Sequence, residues 1–176
     1  MNTTLQGSVL EIYAEHLFRD QGKIRVRRNI LYEQTPLFRN PLKKGKQGRK
    51  IVAQIDIEYW DLSGKTIVEC KHYPGGQVGI DEVVEFYARG RIVDHDHSIM
   101  ITTGAYTESS MRMGKKLGIK LVDREGLEKM DYERLSIMGM IKANMGKRPS
   151  LEEQLRSVSL RGYDTHQYSK QYKLLG

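Results

Sequence analysis

The stretch from Ile51 to Lys71, IVAQIDIEYWDLSGKTIVECK, decides the fold because it reads as two strands joined by a tight turn. Its first half alternates with the two-residue period of a pleated strand. The two predicted faces carry Ile51, Ala53, Ile55, Ile57 and Tyr59 on one side, and Val52, Gln54, Asp56, Glu58 and Trp60 on the other. Asp61-Leu62-Ser63-Gly64 has turn chemistry, with Asp first and Gly last. We therefore predict an antiparallel hairpin.

The second strand, Lys65 to His72, also alternates. Its faces carry Ile67, Glu69 and Lys71 on one side, and Val68 and Cys70 on the other. Neighbouring antiparallel strands can therefore bring Asp56, Glu69 and Lys71 together on one side of a sheet. We read the Cys70 side chain as a core residue, because it faces away from these acids.

Paired acids of this kind suit a metal site. Nearby carboxylates repel and burial raises their pKa, so a cation has to lie between them. Mg²⁺ prefers oxygen ligands, and the Cys70 carbonyl could supply another. Lys71 is placed to touch a water or a phosphate oxygen, and the set suits attack of water on a phosphodiester. The alternative is a solvated sheet face with an ordinary Glu–Lys pair, since short motifs often match by chance.

Composition narrows the class of protein. The chain has 176 residues, enough for one domain with a core plus an appendage, and a formal net charge of +7 that favours a polyanionic partner. Charge alone does not separate nucleic acid from an acidic membrane surface. A single cysteine rules out an internal disulfide, and neither a signal peptide nor a membrane-length apolar run is evident, so we expect a cytoplasmic location.

The N-terminal segment predicts an amphipathic helix that ends near Gly22. Its apolar stripe is Leu10, Tyr13, Ala14, Leu17 and Phe18. Glu11 lies at the margin of this stripe, from which it could reach across to the sheet. The alternative is that Glu11 belongs to a solvated helix flank.

A strand from Lys23 to Glu33 is followed by a long irregular segment, Gln34 to Lys50. This segment is strongly basic, with Arg39, Lys43, Lys44, Lys46, Arg49 and Lys50. A basic loop directly before the acidic strand is well placed to neutralise backbone phosphates. The alternative is a solvated hairpin loop.

Downstream segments alternate between helices and strands. We predict a helix capped by Asp81 and running to about Val93, with an exposed Glu85–Arg89 pair, then strand 98–103, helix 107–117 and strand 119–122. The predicted apolar face of the helix after Asp81 is Val83, Val84, Tyr87 and Ala88. The order predicts a mixed α/β domain over residues 1–130. Residues 131–176 are predicted as a helical C-terminal extension with a basic, tyrosine-rich tail. In this extension Ser150 and Glu153 are predicted to form a capping box for a short helix to about Leu160.

Several of these segments resemble the PD-(D/E)XK restriction-endonuclease-like nucleases, most closely the Mrr-type catalytic domain. The resemblance runs over about residues 5 to 127. It is carried by Gly7-Ser8-Val9-Leu10-Glu11, Gln54-Ile55-Asp56-Ile57, Glu69-Cys70-Lys71-His72-Tyr73, Thr102-Thr103-Gly104-Ala105-Tyr106-Thr107 and Gly118-Ile119-Lys120-Leu121-Val122-Asp123. Many Mrr-type sequences have Gln where this chain has Glu69, and two usual alanines are Ser110 and Gly114 here.

The resemblance implies a central mixed sheet flanked by helices and Mg²⁺-dependent DNA cleavage, with Mn²⁺ able to substitute. It implies that Asp56 and Glu69 carry the metal, that Lys71 positions or polarises water, and that Glu11 supports the site. Gln54 becomes a candidate contact to DNA or to the site.

The sequence leaves the DNA substrate and the partner open. We expect no separate sequence-reading domain, and a Holliday-junction-resolvase type of activity stays possible because those nucleases share the compact core and act as homodimers. The residues are also compatible with a non-catalytic nucleic-acid-binding module of the same fold and with a small-ligand α/β protein.

Overall fold

The structure is a computed structural model that describes residues 3–34, 50–133, 149–160 and 171–175. The elements, in chain order, are α1 (Thr3–Asp20), β1 (Ile24–Gln34), β2 (Lys50–Asp61), β3 (Gly64–Lys71), β4 (Gln77–Val78), α2 (Ile80–Gly90), β5 (His97–Thr102), β6 (Ala105–Tyr106), α3 (Glu108–Leu117), β7 (Ile119–Val122), α4 (Arg124–Glu133), α5 (Leu151–Leu160) and β8 (Gln171–Leu175). The predicted order of helices and strands up to β7 is confirmed, whereas the two-residue strands β4 and β6 and the strand β8 were not predicted. None of the described helices is both long and apolar enough to cross a membrane.

A six-stranded sheet forms the centre, in the order β7-β5-β3-β2-β1-β8. The β1–β2 and β2–β3 pairs are antiparallel, whereas β3–β5, β5–β7 and β1–β8 are parallel. The prediction of a mixed sheet flanked by helices, the restriction-endonuclease-like core, is therefore confirmed.

Helices cover both faces of the sheet. On one face the predicted stripe of α1 is fully buried, and residues of α4 and α5 join it in what we call the α1-side core. On the other face α2 and α3 pack in the α2-side core. Both faces of the central strands are thereby removed from water, as expected for a largely parallel sheet.

The predicted hairpin between β2 and β3 is confirmed, and its turn is held by side chains. Asp61 accepts hydrogen bonds from the Ser63 backbone N–H at 2.8 Å and from the Ser63 hydroxyl at 2.6 Å. Gly64 has φ 116°, and any side chain there would collide with Asp96, which accepts from Lys65 N–H at 2.8 Å. Glycine is therefore required at the close of this turn.

The predicted single apolar face of β2 is wrong, because the alternation of side chains breaks at Asp56. Ile55 lies in the α2-side core, whereas Ile57 lies in the α1-side core. Opposite Asp56, between the Arg28–Ile57 and Ile30–Ile55 pairs, Asn29 has the left-handed φ of 54°. A left-handed residue interrupts the pleat, and Asn tolerates this conformation better than most side chains do. The break coincides with the acid that was predicted to be functional.

The predicted apolar face of α2 is also wrong. The buried residues of the helix are Val83, Phe86 and Gly90, whereas Val84 and Tyr87 are exposed. The helix also begins one residue before the predicted Asp81 cap, with Gly79 at the N-cap position and its N–H bonded to the Glu82 carboxylate at 2.7 Å. Two adjacent valines gave no way to choose the inward face, and the buried Val83–Phe86–Gly90 spacing decides it.

The C-terminal segments return to the sheet and to α1. The predicted capping box at α5 is confirmed, since Ser150 N–H bonds Glu153 at 2.7 Å and Glu153 N–H bonds Ser150 at 3.2 Å. Leu151 and Leu155 of α5 lie in the α1-side core, and β8 pairs with β1. Residues 134–148 and 161–170 lie outside the described part, so the division into a catalytic domain of 1–130 and an extension of 131–176 stays a prediction.

Candidate active site

The candidate active site lies where β2 and β3 part. The ladder between these strands runs from Asp61–Gly64 to Ile57–Val68 and ends there. Beyond it, the Asp56 carboxylate accepts a hydrogen bond from the Cys70 backbone N–H at 2.8 Å. A side chain thus replaces the backbone acceptor of the next rung, and Asp56, 9% exposed, is fixed between the two strands.

Glu69 carries the densest set of charged contacts in this opening. Its Oε1 atom accepts from Arg89 Nη2 at 2.6 Å and lies 3.0 Å from Lys71 Nζ. Its Oε2 atom is buried without a hydrogen-bond partner, although the residue is only 2% exposed. A buried carboxylate oxygen without a donor is costly, so Glu69 is not fully satisfied by the protein.

Glu11 reaches the same region from α1, and its Oε2 atom is also buried without a hydrogen-bond partner. The pKa of Glu11 is raised from 4.5 to about 7, chiefly because the carboxyl is buried; Arg28 opposes this shift and the charge of Glu69 adds to it. The next acid along the helix, Glu15, has a different role, because it binds Arg19 and Arg28 at 2.7 Å each.

The acids interact electrostatically. Burial raises the pKa of Asp56 well above its ordinary value, and the charges of Glu69 and Glu11 act in the same direction. The Cys70 N–H and Arg89 oppose the shift. Asp56 and Glu11, with raised pKa values, therefore lie with the Glu69 charge in a site that gains stability from a proton or an added cation.

Lys71 is the predicted amine of this set, and its environment keeps it charged. Burial lowers the pKa of Lys71, but the charge and hydrogen bond of Glu69 outweigh that effect, so the pKa is raised overall. Lys71 is therefore a hydrogen-bond donor and a positive charge near neutral pH, and not a base.

Arg89 has a different role from the one that the sequence predicted. It was expected to form an exposed pair with Glu85, and Glu85 Oε1 does lie 3.8 Å from Arg89 Nε. The guanidinium is half-buried, however, and its shortest contact is with Glu69. The Val83–Phe86–Gly90 spacing could have revealed this position, because Arg89 lies on the flank of that buried stripe.

The predicted DNA contacts are only partly within the described residues. Arg39, Lys43, Lys44, Lys46 and Arg49 lie outside them, and Lys50 begins β2. Gln54 is exposed beside the site. Its side-chain Nε2 donates to the side-chain Oδ1 of Asn29 at 3.5 Å, and its backbone carbonyl accepts from Arg89 at 3.4 Å.

The donor set fits a hard divalent cation. Two buried carboxylate oxygens, on Glu11 and Glu69, have no hydrogen-bond partner, and oxygen is the ligand that Mg²⁺ prefers. As they stand, no three His, Cys, Asp or Glu side chains of the described ranges could hold one metal ion. Cys70 could contribute only its carbonyl, since its side chain lies in the α1-side core.

A separate groove of about 610 Å³ follows β7 between α3 and α4. It contains Met111, Leu121 and Met130, and the only acid among its lining residues is Asp123. This groove offers no converging acids, so the candidate site remains the opening between β2 and β3.

Several solved structures are similar to this chain. AF1548, a protein of unknown function, matches with a TM-score of 0.54 and 18% identity over 89% of each chain. MspJI restriction endonuclease, in complex with a 27-mer oligonucleotide, has a TM-score of 0.47 and 17% identity over 96% of this chain and 34% of its own. The DNA modification-dependent restriction endonuclease AspBHI has a TM-score of 0.43 and 14% identity over 92% of this chain and 41% of its own. No curated protein matches the chain.

A family model decides the relationship. The model of the restriction endonuclease family Mrr_cat matches residues 3–130, which include α1, the acidic hairpin formed by β2 and β3, and α2. The resemblance that the sequence motifs suggested is therefore confirmed. The chain belongs to the Mrr_cat family of restriction endonucleases and carries a restriction-endonuclease-like nuclease domain.

Proposed function

We propose that this protein is a Mg²⁺-dependent DNA endonuclease that hydrolyses phosphodiester bonds. The observation that carries the proposal is the meeting of Glu11, Asp56, Glu69 and Lys71 where β2 and β3 part, with two carboxylate oxygens left without donors. In a nuclease domain of this family, such a set is suited to bind a cation and to orient water against phosphorus.

In this proposal Asp56 and Glu69 hold the metal, and the Cys70 carbonyl is the third protein ligand. Mg²⁺, or Mn²⁺ in its place, lowers the pKa of water and stabilises negative charge on the phosphate when bound. The hydrogen bond from the Cys70 N–H fixes one oxygen of Asp56, and the second oxygen serves as the ligand. The position of Asp56 is thus set before substrate arrives, which lowers the cost of assembling the site.

Lys71 and Glu11 complete the chemistry. The Lys71 ammonium donates a hydrogen bond to the attacking water or to a phosphate oxygen, and its raised pKa keeps that charge in place. Glu11 approaches from the α1 side of the sheet and accepts a hydrogen bond from the attacking water. Its position on the long helix α1 supports the site from a rigid element.

In this proposal the protein binds DNA through the phosphate backbone of the DNA. The basic segment Arg39 to Lys50 precedes the acidic strand and neutralises phosphates without reading bases. Gln54, exposed beside the acids, contacts the strand being cut. A homodimer would present two such sites to the two strands of a duplex.

The test is cleavage of supercoiled plasmid, single strands and four-way junctions by purified protein in Mg²⁺, Mn²⁺ or EDTA. We expect nicking that needs the metal and that disappears in Asp56→Ala and Glu69→Ala, while both variants keep binding DNA on a gel. Equal cleavage in EDTA, or unchanged cleavage by either variant, would refute the proposal. The four-way junction arm separates a junction-specific nuclease from a general one.

A further inference from the structure

Arg89 and Lys71 both contact one carboxylate oxygen of Glu69, the residue that is proposed to hold the metal. Arg89 Nη2 lies 2.6 Å from Glu69 Oε1, and Lys71 Nζ lies 3.0 Å from the same atom. The other oxygen of Glu69 is buried and has no donor, although two cations stand beside the carboxylate. Glu69 is therefore turned toward the two cations through a single oxygen.

This arrangement leaves the acids poorly placed to share one metal ion. No three acids of the described ranges are arranged to hold a cation, and the contact that turns Glu69 aside comes from α2, outside the acidic hairpin. Arg89 is held on its other side by the Gln54 carbonyl at 3.4 Å. A guanidinium in contact with Glu69 would also repel a divalent ion that enters beside it.

We propose that Arg89 is a positioning residue, an internal counter-ion that holds the Glu69 carboxylate while no metal is bound and gives up that contact when the metal enters. The inference rests on the proposed metal-dependent function. In the metal-free protein Arg89 compensates a buried carboxylate that would otherwise repel Asp56. Metal binding then has to displace an existing ion pair, so the apparent affinity of the site for metal is reduced by that competition.

The competition predicts an unusual sign for the effect of removing Arg89. Arg89→Gln retains hydrogen-bonding capacity but removes the charge. We expect this variant to bind Mn²⁺ and Mg²⁺ roughly tenfold more tightly, because the competing cation is gone. A residue that merely stabilised the fold would leave metal affinity unchanged or weaken it when replaced.

The experiment is calorimetric titration of the full chain with Mn²⁺ or Mg²⁺ without DNA, at a pH above about 7 so that Glu11 is ionised. Thermal melting in EDTA is measured in parallel. We expect Arg89→Gln to melt lower than wild type in EDTA, with the gap closing at saturating metal. Arg112→Gln is the matched control, because Arg112 pairs with Glu108 at 3.1 Å on an exposed helix face and is expected to change neither quantity.

Arg89→Lys is the second variant, in case the glutamine variant does not fold. Lysine keeps the charge but lacks the two separate nitrogens with which Arg89 contacts Glu69 and the Gln54 carbonyl. We therefore expect a smaller gain in metal affinity, roughly threefold. Unchanged or weaker metal binding by a folded Arg89 variant would overturn the inference while leaving the nuclease proposal in place. A wild-type protein that binds neither metal would overturn both.

Discussion

Two buried acids lie two residues apart on β2 and differ in how the protein satisfies them. Glu58, 0% exposed, accepts from the Tyr32 hydroxyl at 2.7 Å, with Lys65 at 3.5 Å and Arg27 at 4.0 Å. Asp56 shares its surroundings with two acids that each retain a buried oxygen without a donor. Burial alone therefore does not mark a functional acid. Incomplete hydrogen bonding of the neighbouring acids distinguishes Asp56 from Glu58, because it leaves room for a ligand.

The largest expected effect separates the two acids by activity. Asp56→Asn or Glu69→Gln should reduce DNA cleavage by at least about 100-fold, since each removes a charge proposed to hold the metal. Glu58→Gln should leave the cleavage rate per folded molecule within about threefold of wild type, because the contacts of Glu58 are with Tyr32, Lys65 and Arg27. Plasmid nicking, normalised to folded protein by circular dichroism, measures both. An equal loss of cleavage in Glu58→Gln and in the Asp56 and Glu69 variants would contradict the distinction between the two acids.

Replacing Glu58 and replacing Asp56 should change the free energy of unfolding in opposite directions. Glu58→Ala should lower the free energy of unfolding by about 3 kcal/mol, since it removes the buried charge that faces Lys65 and the acceptor of the Tyr32 hydroxyl. Asp56→Asn should raise the free energy of unfolding in EDTA by about 1 kcal/mol, since it removes repulsion from Glu69 and Glu11. Urea unfolding of both variants is the measurement. Destabilisation by Asp56→Asn would show that the acids of the site are already satisfied.

A smaller change tests whether the hydrogen bond between Tyr32 and Glu58 contributes to stability without affecting the candidate site. Tyr32→Phe removes the 2.7 Å hydrogen bond to Glu58 and keeps the aromatic ring in the α2-side core. We expect a loss of about 1.5 kcal/mol in the free energy of unfolding and no change in metal affinity. Urea unfolding and metal titration together test this. Altered metal binding would link Glu58 to the candidate site.

The smallest expected effect is a pH dependence from Glu11. Its folded-state pKa of about 7 exceeds the ordinary 4.5, so the native state binds the proton more tightly than the unfolded chain. In EDTA this contribution is fully present below pH 4.5 and is lost as pH rises through about 7. Between pH 6 and pH 7 that decline is about 1 kcal/mol, and Glu11→Gln should remove it from urea unfolding curves. An unchanged decline would assign the pH dependence to another group.

Sequence patterns predicted the elements because their signals are local. The buried stripe of α1, the turn at Asp61 and Gly64, and the capping box of α5 each depend on a few neighbouring residues. The pairing of the β2–β3 hairpin followed from the same kind of signal.

The details of the site were harder because they depend on contacts across elements. The alternation of β2 breaks opposite the left-handed Asn29, which no two-residue period reveals. The pairing of Arg89 with Glu69 depends on which face of α2 turns inward. For the same reason the periodicity put Asp56 and Glu58 on one face of β2, although only Asp56 lies among acids with unpartnered oxygens.

The most direct test of the proposed metal site is anomalous diffraction from crystals of the protein grown with Mn²⁺. We predict a peak bounded by the carboxylates of Asp56 and Glu69 and the carbonyl of Cys70, with Arg89 moved away from Glu69. A peak elsewhere, or no peak with Arg89 still bound to Glu69, would contradict that site.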